Sequence, residues 1–249
     1  VSTSFPDHFS GHAELYRRYR PTYPPELYAW LAGLSGRRDS AWDCATGNGQ
    51  AAVGLAGHFA SVVATDASAE QVRHARPHPA VRYLLAAAEH APLTDGSVDL
   101  VTVAQAVHWF DLDAFYREAR RVARPGACLA VWTYSLVRVD AAVDAVIDWF
   151  YTDVVGSYWP PERIHVHERY VRLPFPFEEV EAPVFDMRPR WTRADLLAQL
   201  TTWSSVNRYR RERGEDPLVL LEPRLARAWP RADEVRALSW PISLRVGRL

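Results

Sequence analysis

Two hydrophobic periods alternate along the first 135 residues. Apolar, strand-like runs fall at 40–45, 61–65, 81–85, 98–104 and 127–134, and between them lie stretches with helical spacing. The clearest helix is 111–123, where Asp111 is an N-cap and Leu112, Phe115, Ala119 and Val122 share one face. Arg124-Pro125-Gly126 ends it, because Pro cannot continue a helix and Gly accepts left-handed dihedrals. Pro24-Pro25-Glu26 opens a shorter helix ahead of the first strand, with Pro suited to a first turn. Strands alternating with helices of this length predict βαβ crossovers and a parallel sheet, hence an α/β fold.

Beyond Tyr134 the pattern changes. A helix is expected over 140–150, with Val143, Val146, Ile147 and Phe150 as its apolar side. Leu173-Pro174-Phe175-Pro176-Phe177 reads as extended, and Thr192-x-x-Asp195 as a capping box ahead of Leu196, Leu197 and Leu200. Six of the ten Trp lie in this half, which marks it as a region with its own aromatic packing.

Composition narrows the classes. A chain of 249 residues supports one sizeable core, burying roughly 70–75% of its unfolded surface, so a single domain with an appended subregion is expected. A net charge of −1 argues against a nucleic-acid partner, and no apolar run approaches the ~18 residues of a membrane span. Cys44 and Cys128 are too few for a disulfide framework or a zinc site. The N-terminal stretch has neither the basic head nor the apolar body of a signal peptide. These features predict a cytoplasmic protein, monomer or homodimer, acting on a small molecule, with no metal, nucleic acid or membrane. All 29 basic residues are Arg, a bias that codon usage explains and that carries no function.

The most informative segment is Trp42-Asp43-Cys44-Ala45-Thr46-Gly47-Asn48-Gly49-Gln50, a strand end, a glycine turn and a helix start. Gly47 and Gly49 lack Cβ, so the backbone turns sharply and a ligand can press against it. The next helix begins there, and its free N–H groups suit an anionic group. Asp66, at the tip of the second strand, can accept both hydroxyls of a ribose. Together they predict a nucleoside-bearing cofactor. Gly47-x-Gly49-x-x-Ala52 also fits the dinucleotide fingerprint, which keeps an NAD(P)-dependent oxidoreductase open. Two features favour a phosphate-free cofactor with an amino-acid end. Some forty residues precede the turn, and the Asp43 carboxylate would repel a pyrophosphate but tolerate an ammonium.

At these residues the chain resembles the class I S-adenosylmethionine (SAM) dependent methyltransferases. Asp43-x-Ala45-x-Gly47-x-Gly49 looks like their D-x-G-x-G-x-G turn, with Ala45 in place of the first glycine. Asp66 matches the ribose-binding acid, and Ala88-Glu89-His90-Ala91-Pro92-Leu93 the loop beside the adenine. Asp95-Gly96-Ser97-Val98-Asp99 and Arg124-Pro125-Gly126 match the turns before strands four and five. Ala87 stands where many relatives carry an Asp for the adenine amino group, so Glu89 or the Ala88 backbone would serve instead. Tyr16-x-x-x-Arg20-Pro21-x-Tyr23-Pro24 and Gln105-Ala106-Val107-His108-Trp109-Phe110-Asp111 resemble the branch holding trans-aconitate-type methyltransferases.

The resemblance implies a Rossmann-like sheet of seven mostly parallel strands with helices on both faces, a C-terminal helical lid, and a last strand, 236–249, antiparallel at the sheet edge. It divides the chain into an N-terminal lid (1–38), a SAM-binding core (39–135), a lid and substrate region (136–234) and a final strand (235–249). The implied cofactor contacts are Tyr16, Arg20, Asp43, Ala45, Gly47, Gly49, Asp66, Ala88, Glu89 and Gln105. Methyl transfer quenches a sulfonium charge, so a dry pocket with aromatic walls helps; Trp109, Phe110, Tyr16 and Tyr19 are the candidates. His108 is the candidate catalytic residue, because imidazole suits a general base if the acceptor is a hydroxyl, amine or acidic carbon. A carboxylate acceptor needs no base. Arg163, Arg169, Arg172, Arg190 and Arg208 are candidate partners for an acidic acceptor. The expected function is methyl transfer to a small molecule, on a carboxylate or hydroxyl oxygen. The alternatives are the oxidoreductase and a non-catalytic SAM-binding protein.

Overall fold

The computed structural model describes residues 19–249. In chain order the elements of the first half are α1 (Pro25–Leu34), β1 (Ser40–Cys44), α2 (Gln50–Leu55), β2 (Ser61–Asp66), α3 (Ala69–His74), β3 (Val81–Leu85), β4 (Val98–Ala104), α4 (Leu112–Val122) and β5 (Ala123–Tyr134). There follow α5 (Ala141–Trp149), α6 (Arg163–His167), β6 (Glu178–Val180), β7 (Phe185–Met187), β8 (Arg190–Trp191), α7 (Arg193–Leu200), α8 (Ser204–Arg213), α9 (Leu218–Ala228), β9 (Arg236–Ala237) and β10 (Trp240–Arg248).

The main sheet runs β3-β2-β1-β4-β5-β10-β6, and β7 also pairs with β10. Strands β1 to β5 are parallel, and β10 is antiparallel to its neighbours. Two expectations need correction. Among the described residues the sheet has eight strands rather than seven, because β6 and β7 follow one another along the outer edge of β10. The last strand is therefore internal, with β5 on one side and β6 and β7 on the other. The two short strands cover an edge that β10 would otherwise expose.

Alternation within the strands buries both faces of the sheet. Leu100, Cys128, Ala130 and Trp132 face one core with α1, α2, α5 and α9, while Trp42, Val101, Val103, Leu129 and Val131 face a second with α4. The N-cap expected at Asp111 and the capping box at Thr192 are present: the Asp111 carboxylate accepts from the Ala114 N–H, and Thr192 and Asp195 cap reciprocally. Asp140, just before α5, also accepts from the Ala142 and Val143 N–H groups. The expected stop at Arg124-Pro125-Gly126 is a bulge inside β5, where pairing jumps from Val98↔Ala123 to Leu100↔Cys128 and Gly126 takes φ +81°.

The order of strands reverses between β1 and β4, where chains leading away on opposite faces open a crevice at the carboxyl ends. Among the described residues no helix is long and apolar enough to cross a membrane.

Candidate active site

A cavity of about 270 Å³ lies at that reversal. Its floor comes from the carboxyl tips of all five parallel strands: Ala45–Asn48 after β1, Asp66–Ser68 after β2, Ala86–Glu89 after β3, Gln105 after β4 and Tyr134 ending β5. Its far wall comes from the second half, through Trp159, Arg163, Gln199, Thr202 and Trp203.

The turn after β1 is held from below. Asp43 is fully buried and does not line the cavity. Its carboxylate accepts from the Thr46 hydroxyl at 2.5 Å and the Thr102 hydroxyl at 2.8 Å. Burial pushes its pKa up to about 6, against the opposing pull of those two hydroxyls. From above, Asp66 accepts from the Gly47 N–H and the Ser68 N–H, each at 2.8 Å. One carboxylate thus ties the turn to the tip of β2 while still lining the cavity.

Backbone conformation explains the residue types. Gly47 and Gly49 have φ of +56° and +81°, and a Cβ on Gly49 would run into the Tyr83 hydroxyl. Ala45 takes φ +52° as well, so the motif's missing glycine leaves an alanine in a left-handed conformation.

The other expected contacts sit as follows. Arg20 lines the cavity and its Nε donates to the Tyr134 hydroxyl at 3.2 Å. Ala88 is buried, and Glu89 beside it accepts from the Asp111 N–H at 3.2 Å. Gln105, at φ +61°, accepts from the Thr133 hydroxyl at 2.7 Å. Tyr16 lies outside the described residues. Trp109 and Phe110 both line the cavity.

His108 lies in the cavity wall with its Nδ1 at 2.8 Å from the Tyr170 hydroxyl. Burial, reinforced by the Arg163 charge and the neighbouring His165, lowers its pKa to about 3. The ring is therefore neutral at pH 7 but a weak base. Tyr170 is fully buried, and burial raises its pKa, so it keeps its proton.

Several positioning residues escape a reading of the sequence. Gln50 accepts from the Tyr23 N–H at 3.1 Å and donates to the Pro21 carbonyl at 3.3 Å, which clamps the segment carrying Arg20. Its place directly after Gly49 was the available signal, as was a lone Thr102 in an apolar strand. Nothing local marks Tyr170 as the partner of His108, 62 residues away. Of the five candidate arginines only Arg163 lines the cavity. Arg172 and Arg208 pair with Glu168 and Glu212, while Arg169 and Arg190 are exposed.

The glycine turn, the acid on the neighbouring strand and the strand order together define a class I SAM-dependent methyltransferase. Relatives agree. A methyltransferase-domain family model matches residues 42–131. A Dictyostelium discoideum protein that carries a methyltransferase assignment is 33% identical over 93% of this chain and 89% of its own length. A Mycobacterium tuberculosis protein named as an uncharacterized methyltransferase is 35% identical over 70% of this chain and 67% of its own. The solved structure of a type II methyltransferase from Anaeromyxobacter dehalogenans is 47% identical, covers 92% of this chain and 98% of that one, and superposes with a TM-score of 0.88. The chain belongs to the SAM-dependent methyltransferase family, and SAM is its cofactor. The glycine pattern shared with dinucleotide enzymes therefore does not make it an oxidoreductase.

The residues present fit that cofactor. The Asn48 Nδ2, in the cavity lining, is buried without a protein partner, and Asp43 and Asp66 crowd the turn with negative charge that a pyrophosphate would meet.

Proposed function

We propose that the protein transfers a methyl group to an oxygen of a small-molecule acceptor, and that this oxygen belongs to a carboxylate. Arg20 would hold the carboxylate of SAM, Asp66 its ribose, Glu89 and the Ala88 backbone its adenine, and the turn 45–49 its amino-acid end. Bound there, SAM supplies an electrophilic methyl on a sulfonium. Segments from 136 to 234 act as the lid and bring the acceptor side of the cavity, and Trp109, Phe110 and Trp203 exclude water from it.

What supports the carboxylate reading is that His108, the imidazole in the cavity wall, is held well below its ordinary pKa, while Arg163 beside it has no carboxylate within 4.0 Å among the described residues. A hydroxyl acceptor must lose a proton, and an imidazole held near pKa 3 takes one poorly. A carboxylate already carries its attacking lone pair. His108, expected as a base, is better placed as a neutral hydrogen-bonding group oriented by Tyr170. The stretches 16–24 and 105–111, which resemble the trans-aconitate-type branch, point the same way. Transfer of an isotope-labelled methyl from SAM to a panel of carboxylic acids, phenols and amines tests the reading. Methyl esters are the expected products, and labelled ethers or methylamines alone would overturn it.

A further inference from the structure

Three side chains lining the acceptor side of the cavity each carry a polar atom without a partner among the described residues. The Nε1 of Trp159, the Nε of Arg163 and the Oε1 of Gln199 are each buried without a hydrogen bond. Gln199 is only 5% exposed. Trp159 and Arg163 lie just before and within α6, whereas Gln199 closes α7, so separate elements bring these groups to one cavity. Buried polar groups are nearly always satisfied, because an unmade hydrogen bond costs about 1–3 kcal/mol. Three such residues lining one cavity, beside an arginine without a carboxylate partner, make that wall a candidate ligand site.

The charges around that void are unequal. The Arg163 guanidinium sits 4.6 Å from the centroid of the Trp159 ring, and no carboxylate lies within 4.0 Å of it among the described residues. Among the described residues Arg20 is the other arginine lining the cavity, on the Tyr134 side. His108 adds no charge at neutral pH. Flat aromatic faces line the cavity too, with Trp159 and Trp203 at 5.4 Å between centroids and Trp109 and Phe110 shortly after the tip of β4. One cation among aromatic faces compensates one carboxylate. A second or third carboxylate would be desolvated there with nothing to pair it.

We propose that Arg163, Trp159 and Gln199 form the acceptor-recognition subsite, and that the acceptor is a small monocarboxylic acid with a flat, apolar body carrying one hydrogen-bond donor. The guanidinium and the Trp159 N–H take the carboxylate, the indole faces take the body, and Gln199 Oε1 accepts from the donor. Aliphatic polyacids are excluded by the same arrangement. The inference rests on the cavity being the methyltransferase site, but the binding it describes needs no methyl transfer.

Calorimetric titration of the full chain without SAM tests it, with 4-hydroxybenzoate, benzoate, 4-hydroxybenzamide and propane-1,2,3-tricarboxylate as probes. The hydroxy acid should bind about tenfold or more tighter than the amide and the tricarboxylate, because a charge-assisted pair is at stake. Arg163→Gln should lose that advantage, Arg163→Lys should keep part of it, and SAM affinity should not move in either. Gln199→Leu should erase the preference for 4-hydroxybenzoate over benzoate. Tighter binding of the tricarboxylate, no binding of either acid, or an Arg163→Gln variant that binds SAM and acid like the wild type would overturn the proposal. Acid binding that follows this pattern without any labelled product would sustain the subsite and contradict the proposed reaction instead.

Discussion

The floor and the far wall of the cavity are built on opposite rules. On the floor, almost every polar group is already engaged by the protein. Asp66 takes two backbone N–H groups, Asp43 two hydroxyls, Gln105 one hydroxyl and Glu89 one N–H. On the far wall, Trp159, Arg163 and Gln199 keep buried atoms without partners. A cofactor that never changes can be met by a preorganised rim of strand tips, whose geometry the sheet itself enforces. In the proposed reading the acceptor, which differs among enzymes of one fold, is met by side chains from late, irregular segments. Among the described residues, Asn48 on the floor likewise keeps a buried Nδ2 without a partner.

The sharpest way to break this contrast is at Asp66. Asp66→Ala removes charge-assisted hydrogen bonds worth about 1.5–3 kcal/mol each and leaves the Gly47 and Ser68 N–H groups without their acceptor. SAM affinity should fall about tenfold or more by calorimetry; unchanged affinity would place the ribose elsewhere.

Asp43 should have a smaller effect, seen through pH. Its folded pKa is raised to about 6 from 3.8, so the stability it contributes is present below about pH 4 and lost as pH rises through 6. Asp43→Asn should therefore gain stability relative to the wild type between pH 4 and 7, by up to about 3 kcal/mol in chemical denaturation. A difference that stays constant across that range would contradict the burial of an uncompensated charge.

His108 separates the two walls. Its pKa is lowered to about 3 from 6.5, so the stability it contributes is present above 6.5 and is lost as pH falls towards 3, when the unfolded chain takes the proton that the buried ring refuses. His108→Gln should flatten that acid limb, lower kcat several-fold by about the amount expected for one hydrogen bond, and leave SAM affinity unchanged. A rate profile that rises with an apparent pKa between 6 and 7, lost in the variant, would restore the ring as a base.

The smallest effect belongs to Ala45. Relief of a left-handed alanine at φ +52° is worth about 1–2 kcal/mol, offset by about 0.4–1 kcal/mol of extra unfolded-state entropy. Ala45→Gly should leave the melting temperature equal or slightly higher, with SAM binding intact.

The same division governs what could be read from the residues alone. Strands β3 and β4 fall on the expected residues, and the caps at Asp111 and Thr192 are where local sequence puts them, because each depends on near neighbours. The glycine turn and Asp66 are legible for the same reason: backbone geometry and a strand tip need no distant partner. The two short strands along β10 were not, since three residues carry little periodicity and their pairing is decided by an open sheet edge. Nor was the choice of Arg163 over Arg172 or Arg208, which turns on which arginine the folded chain pairs with a local carboxylate. Tyr170 reaches His108 from a loop residue at φ +62°, a contact that only the assembled core creates.

A crystal structure with S-adenosylhomocysteine bound tests the central claim most directly. The account predicts both ribose hydroxyls within hydrogen-bonding distance of Asp66, the nucleoside lying across the tips of β1, β2 and β4, and the carboxylate facing Arg20. A nucleoside held outside this cavity, or one whose ribose leaves Asp66 untouched, would contradict it.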